Sequence, residues 1–174
     1  QTSENCGDII LKDYIEDVIL SLKHIIKKTS IEIMVMCEDN NLKIKTYPGS
    51  LVQLFTNLIM NSITHGFDNT SKGTITISTR LETEKIIIQY ADDGKGMDKE
   101  ILKRIFEPFY TTKSGQGGSG LGLFIVYNIV TTVLNGSIEC ESSLSNGVLF
   151  TITLPMLPTN TSNLSTTSEH AFVR

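Results

Sequence analysis

The chain has 174 residues, 40% of them hydrophobic and 20% charged, with a formal net charge of −4 and a pI near 5.4. That length buries a full core without staples and fits one domain, and the acidic balance argues against nucleic acid as a partner. No apolar run approaches the roughly 18 residues of a membrane span, and no basic-then-apolar leader opens the sequence.

Residues 9–26 carry apolar side chains at helical spacing (Ile10, Tyr14, Ile15, Val18, Leu22, Ile25, Ile26), with Lys23, Lys27 and Lys28 toward the end to complement the helix dipole. Residues 31–37 and 42–47 alternate or run apolar on either side of a turn-like 38–41, so a pair of strands is predicted. A Pro48-Gly49-Ser50 break then starts a second helix with Ser50 as its N-cap. Residues 74–81 and 85–91 predict a hairpin, 99–105 a short helix, 114–120 a glycine-rich loop and 121–134 a third long helix. Asn135-Gly136 ends that helix, and two last strands pair around Asn146-Gly147. Residues 158–174 have almost nothing to bury and predict a disordered tail. This order implies an α+β fold: a two-layer α/β sandwich with a mixed sheet of about five strands, covered on one face by about three helices. Cys6, Cys37 and Cys140 lack C-x-x-C spacing and read as buried or incidental thiols of a reducing, cytoplasmic compartment.

The second helix has no Lys, Arg, Asp or Glu between Ser50 and Phe67. Gln53, Asn57, Asn61 and His65 recur four apart and form one polar stripe, while Leu51, Leu54, Phe55, Leu58, Ile59 and Ile63 supply core. Asn is a poor helix-interior residue because its amide competes for backbone hydrogen bonds. Two such residues at i and i+4 suit either an uncharged solvated face or an amide completing the octahedral shell of Mg²⁺.

Gly115-Gln116-Gly117-Gly118-Ser119-Gly120 matches the dinucleotide pattern G-x-G-x-x-G, with Glu139 and Glu141 downstream. That pattern must follow a strand, and Pro108 with the polar run after it makes a strand there untenable. What remains is a loop delivering glycines to a helix start, suited to phosphate, with Lys113 in reach, or else a surface loop without ligand. DDGKGM (92–97), directly after the strand KIIIQY, is likewise either an Asp-Gly turn or a place where carboxylate and backbone meet a small planar ligand.

Taken in order, NLIMN (57–61), DDGKGM (92–97), IFEPFYTTK (105–113), GGSGLGL (117–123) and NGVLFTITLP (146–155) resemble the N, G1, F, G2 and late-glycine boxes of sensor histidine kinases. The resemblance covers the catalytic ATP-binding (Bergerat-fold) domain and implies ATP and Mg²⁺ as cofactors. It implies that Asp92 accepts a hydrogen bond from the adenine amine, that Gly94 and Gly96 let the backbone pass close to the base, and that Met97 packs on it. Asn61 would be the metal ligand and Asn57 its support. His65, Tyr110, Thr111, Lys113, Gly118, Ser119, Gly120, Leu121, Gly122 and Leu123 would line the nucleotide and its phosphates. Phe106, Phe109 and Tyr110 would anchor a flexible ATP lid, and Asn57, Asn61 and Lys113 would carry catalysis.

On this resemblance the chemistry is γ-phosphoryl transfer to a histidine imidazole. Related ATPases of the gyrase, mismatch-repair and chaperone type carry a Glu four residues before the metal Asn as base for water. Asn57 stands there in this chain, which favours transfer over hydrolysis. Thr64 replaces a frequent Lys, and Val148 a frequent hydroxyl residue. No phosphoacceptor motif surrounds His24, and His170 lies in the tail. The implied organisation is a leading helix (1–30) after a missing dimerisation and phosphoacceptor domain, an ATP-binding domain (31–157) and a tail (158–174). Implied partners are the parent protein's own histidine domain and a response regulator, with the isolated domain monomeric. The alternatives are a nucleotide-binding regulatory (pseudokinase) module and a free-standing ATPase of the same fold.

Overall fold

The structure, a computed structural model, describes residues 5–67, 72–112 and 119–157. Lys113, Gly117 and Gly118 of the predicted lid, and the predicted tail, lie outside the described residues.

The main sheet has five strands: β2 (Ser30–Cys37), β4 (Lys72–Glu82), β5 (Lys85–Asp92), β6 (Ser137–Ser142) and β7 (Val148–Pro155). Their spatial order is β2-β4-β5-β7-β6. Among the described residues the β2–β4 pair of this sheet is parallel and the other three are antiparallel. The mixed, five-stranded sandwich expected from the sequence is therefore present. Period-two alternation decides which face meets the helices. Ile75 and Ile77 of β4, Ile86, Ile88 and Tyr90 of β5, and Phe150, Ile152 and Leu154 of β7 all point inward and are buried. Asp92 has the same parity as Tyr90, so the last inward position of β5 is a carboxylate, registered between Ile75 and Val148.

The helix layer comprises α1 (Leu11–Ser21), α3 (Pro48–Asn61) and α5 (Gly122–Asn128), with short α2 (Lys23–Ile26) and α4 (Lys99–Leu102) at its margins. Leu51, Leu54, Phe55, Leu58 and Ile59 are fully buried under α3, as its periodicity predicts. Helices α3 and α5 each end in a π-helical turn, Ser62–Gly66 and Ile129–Val133. Such turns are rare and widen the helix locally, moving the backbone outward without ending the segment.

Three local expectations need correction. The first helix does not start at residue 9: Gly7–Ile10 form β1, which pairs antiparallel with β3 (Lys43–Thr46) in a separate two-stranded sheet. The predicted pairing of 31–37 with 42–47 is consequently absent; β2 joins β4 instead. Turn composition suggested a local hairpin, but β2, with Ile31 buried and Ile33 and Val35 half-buried, pairs in the register Ser30 to Lys72, a non-local choice that local composition does not encode. Finally, Ser50 is buried and is not the N-cap of α3. Tyr47 occupies that position with Pro48 at the start, where its missing N–H is harmless.

Helix α1 buries Leu11, Ile15 and Val18 in the same core, and the Tyr14 hydroxyl donates to the Pro48 carbonyl at 2.8 Å. All three cysteines are free: Cys6 is exposed, while Cys37 and Cys140 are half-buried. Burial, followed by the nearby Asp92 and Glu141 charges, pushes the Cys140 thiol up to about 12, which disfavours the thiolate. Among the described residues no helix is long and apolar enough to cross a membrane.

Candidate functional site

A cavity of about 460 Å³ opens between α3, the loop after β5 and the start of α5. Asn57, Asn61 and His65 form one wall, as the polar stripe predicts, and are joined there by Met60 and Thr64. Gly96 and Met97 line the loop side; Tyr110, Thr111, Ser119, Gly120, Gly122 and Leu123 line the side facing α5. Asp92, Gly94 and Leu121 do not contribute to the lining. Residues that the boxes did not single out also line it: Lys95, Ile101, Ile105, Thr112 and Leu144. Lys95 lies inside DDGKGM and was legible there; Leu144, in a turn nearly 50 residues later, was not.

The two adjacent aspartates have separate roles. Asp93 Oδ1 accepts from the Thr74 backbone N–H at 2.7 Å and ties the loop to β4. Asp92 is almost fully buried. Its Oδ2 accepts from the Ser62 hydroxyl at 2.6 Å and its Oδ1 from the Gly94 N–H at 3.0 Å. Tyr90, two residues earlier on the same face, sends its hydroxyl toward Ser62 Oγ (2.9 Å) and the Leu58 carbonyl (3.0 Å). A buried relay, Tyr90–Ser62–Asp92, therefore orients the carboxylate. Burial raises the Asp92 pKa above its ordinary 3.8, opposed by the Ser62 and Gly94 hydrogen bonds and the Val148 backbone, with Asp93 adding a smaller upward push. A carboxylate offers about four lone-pair sites, so acceptor capacity remains for one further donor.

Ser62 and Tyr90 escaped the sequence reading, although their positions directly after Asn61 and at i−2 from Asp92 signalled them. Ser62→Ala removes a donor to the ionised form, so the Asp92 pKa climbs further. Ligand affinity that depends on the carboxylate should fall about tenfold, matching the ~1.5 kcal/mol typical of a hydrogen bond to a charged group. The low-pH loss of binding should move to higher pH. Binding curves between pH 5 and pH 8 check this; an unshifted profile would show that the relay does not tune Asp92.

The π-helical turn after α3 is what brings the wall and the carboxylate together. It sets the Gly66 carbonyl to accept from the Lys95 N–H at 2.9 Å. His65 meets the Thr112 hydroxyl at 3.2 Å, tying the polar stripe to residues leading into segment 113–118. Phe106 packs against Tyr127 with ring centroids 5.2 Å apart. Phe109 is 74% exposed with φ +65°, and its backbone abuts Gly120. Tyr110 lies under the Arg104 guanidinium, 4.3 Å from the ring centroid.

The Asn57 amide donates to the Gln53 carbonyl at 2.9 Å. Its oxygen is thereby left toward Gly122, where an added Cβ would sit 3.6 Å away. Among the described residues no three His, Cys, Asp or Glu side chains come together to hold a metal. The donor set suits a hard divalent cation that takes one amide oxygen from the protein and its other ligands from phosphate and water.

Residues 46–158 match the family described as histidine kinase-, DNA gyrase B- and HSP90-like ATPases. Over 128 residues the chain is 35% identical to sensor histidine kinase ZraS of Salmonella typhi, covering 73% of this chain and 26% of that protein. The chain thus spans about a quarter of that relative's length. The solved catalytic domain of histidine kinase ThkA superposes with a TM-score of 0.76 at 28% identity, covering 87% of this chain and 96% of that one. ThkA in complex with response regulator protein TrrA superposes at 0.72 with 25% identity, covering 87% of this chain and 42% of that one.

Proposed function

Because the chain belongs to the histidine kinase-, DNA gyrase B- and HSP90-like ATPase family, we propose that it is the catalytic domain of a sensor histidine kinase, binding Mg²⁺-ATP and transferring the γ-phosphoryl group to a histidine on a separate dimerisation domain. The observation that carries this reading is the pairing of an amide stripe along the cavity wall with a buried carboxylate held by Ser62, the residue directly after that stripe's Asn61. Asp92 reads the exocyclic amine of adenine. A guanine oxygen in that place would set acceptor against acceptor, which costs far more than a missing methyl group would. Gly96 and Met97 flank the base, and the backbone from Ser119 to Leu123 faces the phosphates.

Asn61 is the protein's ligand to Mg²⁺, with Asn57 beside it; bound there, the ion would neutralise developing charge on the phosphates. Asn57 has no proton-accepting group for a water nucleophile, which favours transfer to an imidazole over hydrolysis. Lys113, Gly118 and the lid role belong to this proposal as well. The phosphoacceptor histidine domain, a response regulator, a monomeric state in isolation and a cytoplasmic setting complete it; the ThkA–TrrA complex among similar structures supports the response regulator.

Calorimetric titration with a non-hydrolysable ATP analogue, with and without Mg²⁺ and against a GTP analogue, tests the reading. Adenine-selective, Mg²⁺-assisted binding is expected, and no binding of either nucleotide overturns it. Asn61→Ala should abolish the gain in affinity that Mg²⁺ confers, so that curves with Mg²⁺ and with chelator coincide, while metal-free binding persists. A variant that keeps the full Mg²⁺ effect would remove Asn61 from the metal site.

A further inference from the structure

The loop after β5 and the turn joining β6 to β7 are joined at several points. The Met97 N–H donates to Ser142 Oγ at 2.8 Å, and Ser142 Oγ donates to the Gly147 carbonyl at 2.6 Å. The Ser145 N–H donates to the Lys95 carbonyl at 2.7 Å. Gly96, with φ +66°, is so close to this turn that an added Cβ would lie 2.0 Å from the Ser143 carbonyl oxygen. Within the turn, the Asn146 N–H bonds the Ser143 carbonyl at 3.1 Å and the Asn146 amide the Ser143 hydroxyl at 2.7 Å. The residue at the centre of these contacts is Leu144. It is 65% exposed, yet it lines the cavity on the same side as Gly96 and Met97.

An exposed leucine on a mobile turn would need no explanation. This one is carried on a turn with bonds on both flanks, to the loop that ends in Met97, so its position at the rim is set before any ligand arrives. An apolar side chain held at the rim of a cavity gains from losing water when an apolar surface, such as the face of a planar base, covers it. We infer that Leu144 is the outer wall of the base subsite and a determinant of affinity for the base half of the nucleotide. This rests on the nucleotide reading above and deepens it.

Burying most of a leucine side chain corresponds to about a tenfold change in Kd. Because the contact is to the base, Leu144→Ser should raise the Kd for ADP and for a non-hydrolysable ATP analogue by the same factor, about tenfold. Leu144→Met, apolar and similar in volume, should restore binding to near the parent value. The thermal midpoint should not move, since an exposed side chain contributes little to the fold. Titrations of the parent chain, both variants and Asp92→Asn separate the outcomes. Unchanged affinities in Leu144→Ser, with Asp92→Asn still impaired, overturn the Leu144 assignment and leave the nucleotide reading standing. A loss seen for the ATP analogue and not for ADP also overturns it, because the contact would then follow the γ-phosphate. A parent chain that binds no adenine nucleotide removes both.

Discussion

Asp92→Asn is expected to raise the Kd for ATP analogues on the order of 100-fold while the protein melts at an unchanged or higher temperature. The Gly94 N–H donates to Oδ1, so an asparagine must keep its oxygen there and place its NH₂ group at the Oδ2 position, facing Ser62. Ser62 can accommodate this by turning its hydroxyl toward Tyr90, whose own proton then goes to the Leu58 carbonyl. The fold therefore keeps its hydrogen bonds. The ligand loses a charged acceptor, and an amine facing an amide N–H leaves two donors opposed; a bond to a charged group and its desolvation penalty together come to roughly 3 kcal/mol.

The stability half of this prediction follows from the sign of the pKa shift. Burial, the largest cause, raises the folded-state pKa of Asp92 above 3.8. A raised carboxylate favours the folded state fully below about pH 3.8, and that contribution is lost as pH rises through the folded pKa. At neutral pH the ionised group is thus a cost to folding that the amide does not bear. A functional group held at a stability cost is a common arrangement in binding sites. Thermal melts and titrations on the same preparation check both halves; a lowered midpoint together with unchanged affinity would show Asp92 to be structural only.

Gly147→Ala is expected to do the opposite, lowering stability and binding together. Gly147 has φ +66°, and a Cβ there would lie 1.8 Å from the Asp92 carbonyl oxygen. The left-handed conformation alone costs an alanine about 1–2 kcal/mol, and the overlap forces the start of β7 away from the end of β5. A total near 3 kcal/mol corresponds to a fall of roughly 10 °C in Tm for a domain of this size. Because the displaced strand end carries Asp92, affinity should fall with it. Gly122→Ala is the control: an added Cβ there makes an ordinary 3.6 Å contact with Asn57 Oδ1, so its melting temperature should stay close to the parent's. A Gly147→Ala protein as stable as that control would show that the two strand ends are not tightly coupled.

On the second helix and the central strands the sequence by itself determined which residues face the core, because that follows from local periods of 3.6 and 2. The uncharged stripe of Asn57, Asn61 and His65 and the buried face opposite it were legible for that reason. So was the β4–β5 hairpin that delivers Asp92, since its two strands are close in sequence and joined by a tight turn. What only the tertiary structure decided is how distant segments meet. That β1 pairs with β3 and β2 runs parallel to β4 depends on contacts between segments far apart in the chain. That Ser62 and Tyr90 orient Asp92 depends on a π-helical turn that no composition signalled, and only the folded chain gives the two aspartates different partners, Thr74 for Asp93 and Ser62 with Gly94 for Asp92. Leu144 was invisible for the same reason. A single leucine in a polar turn has no period to announce it, and its place beside the cavity comes from hydrogen bonds between two loops nearly 50 residues apart.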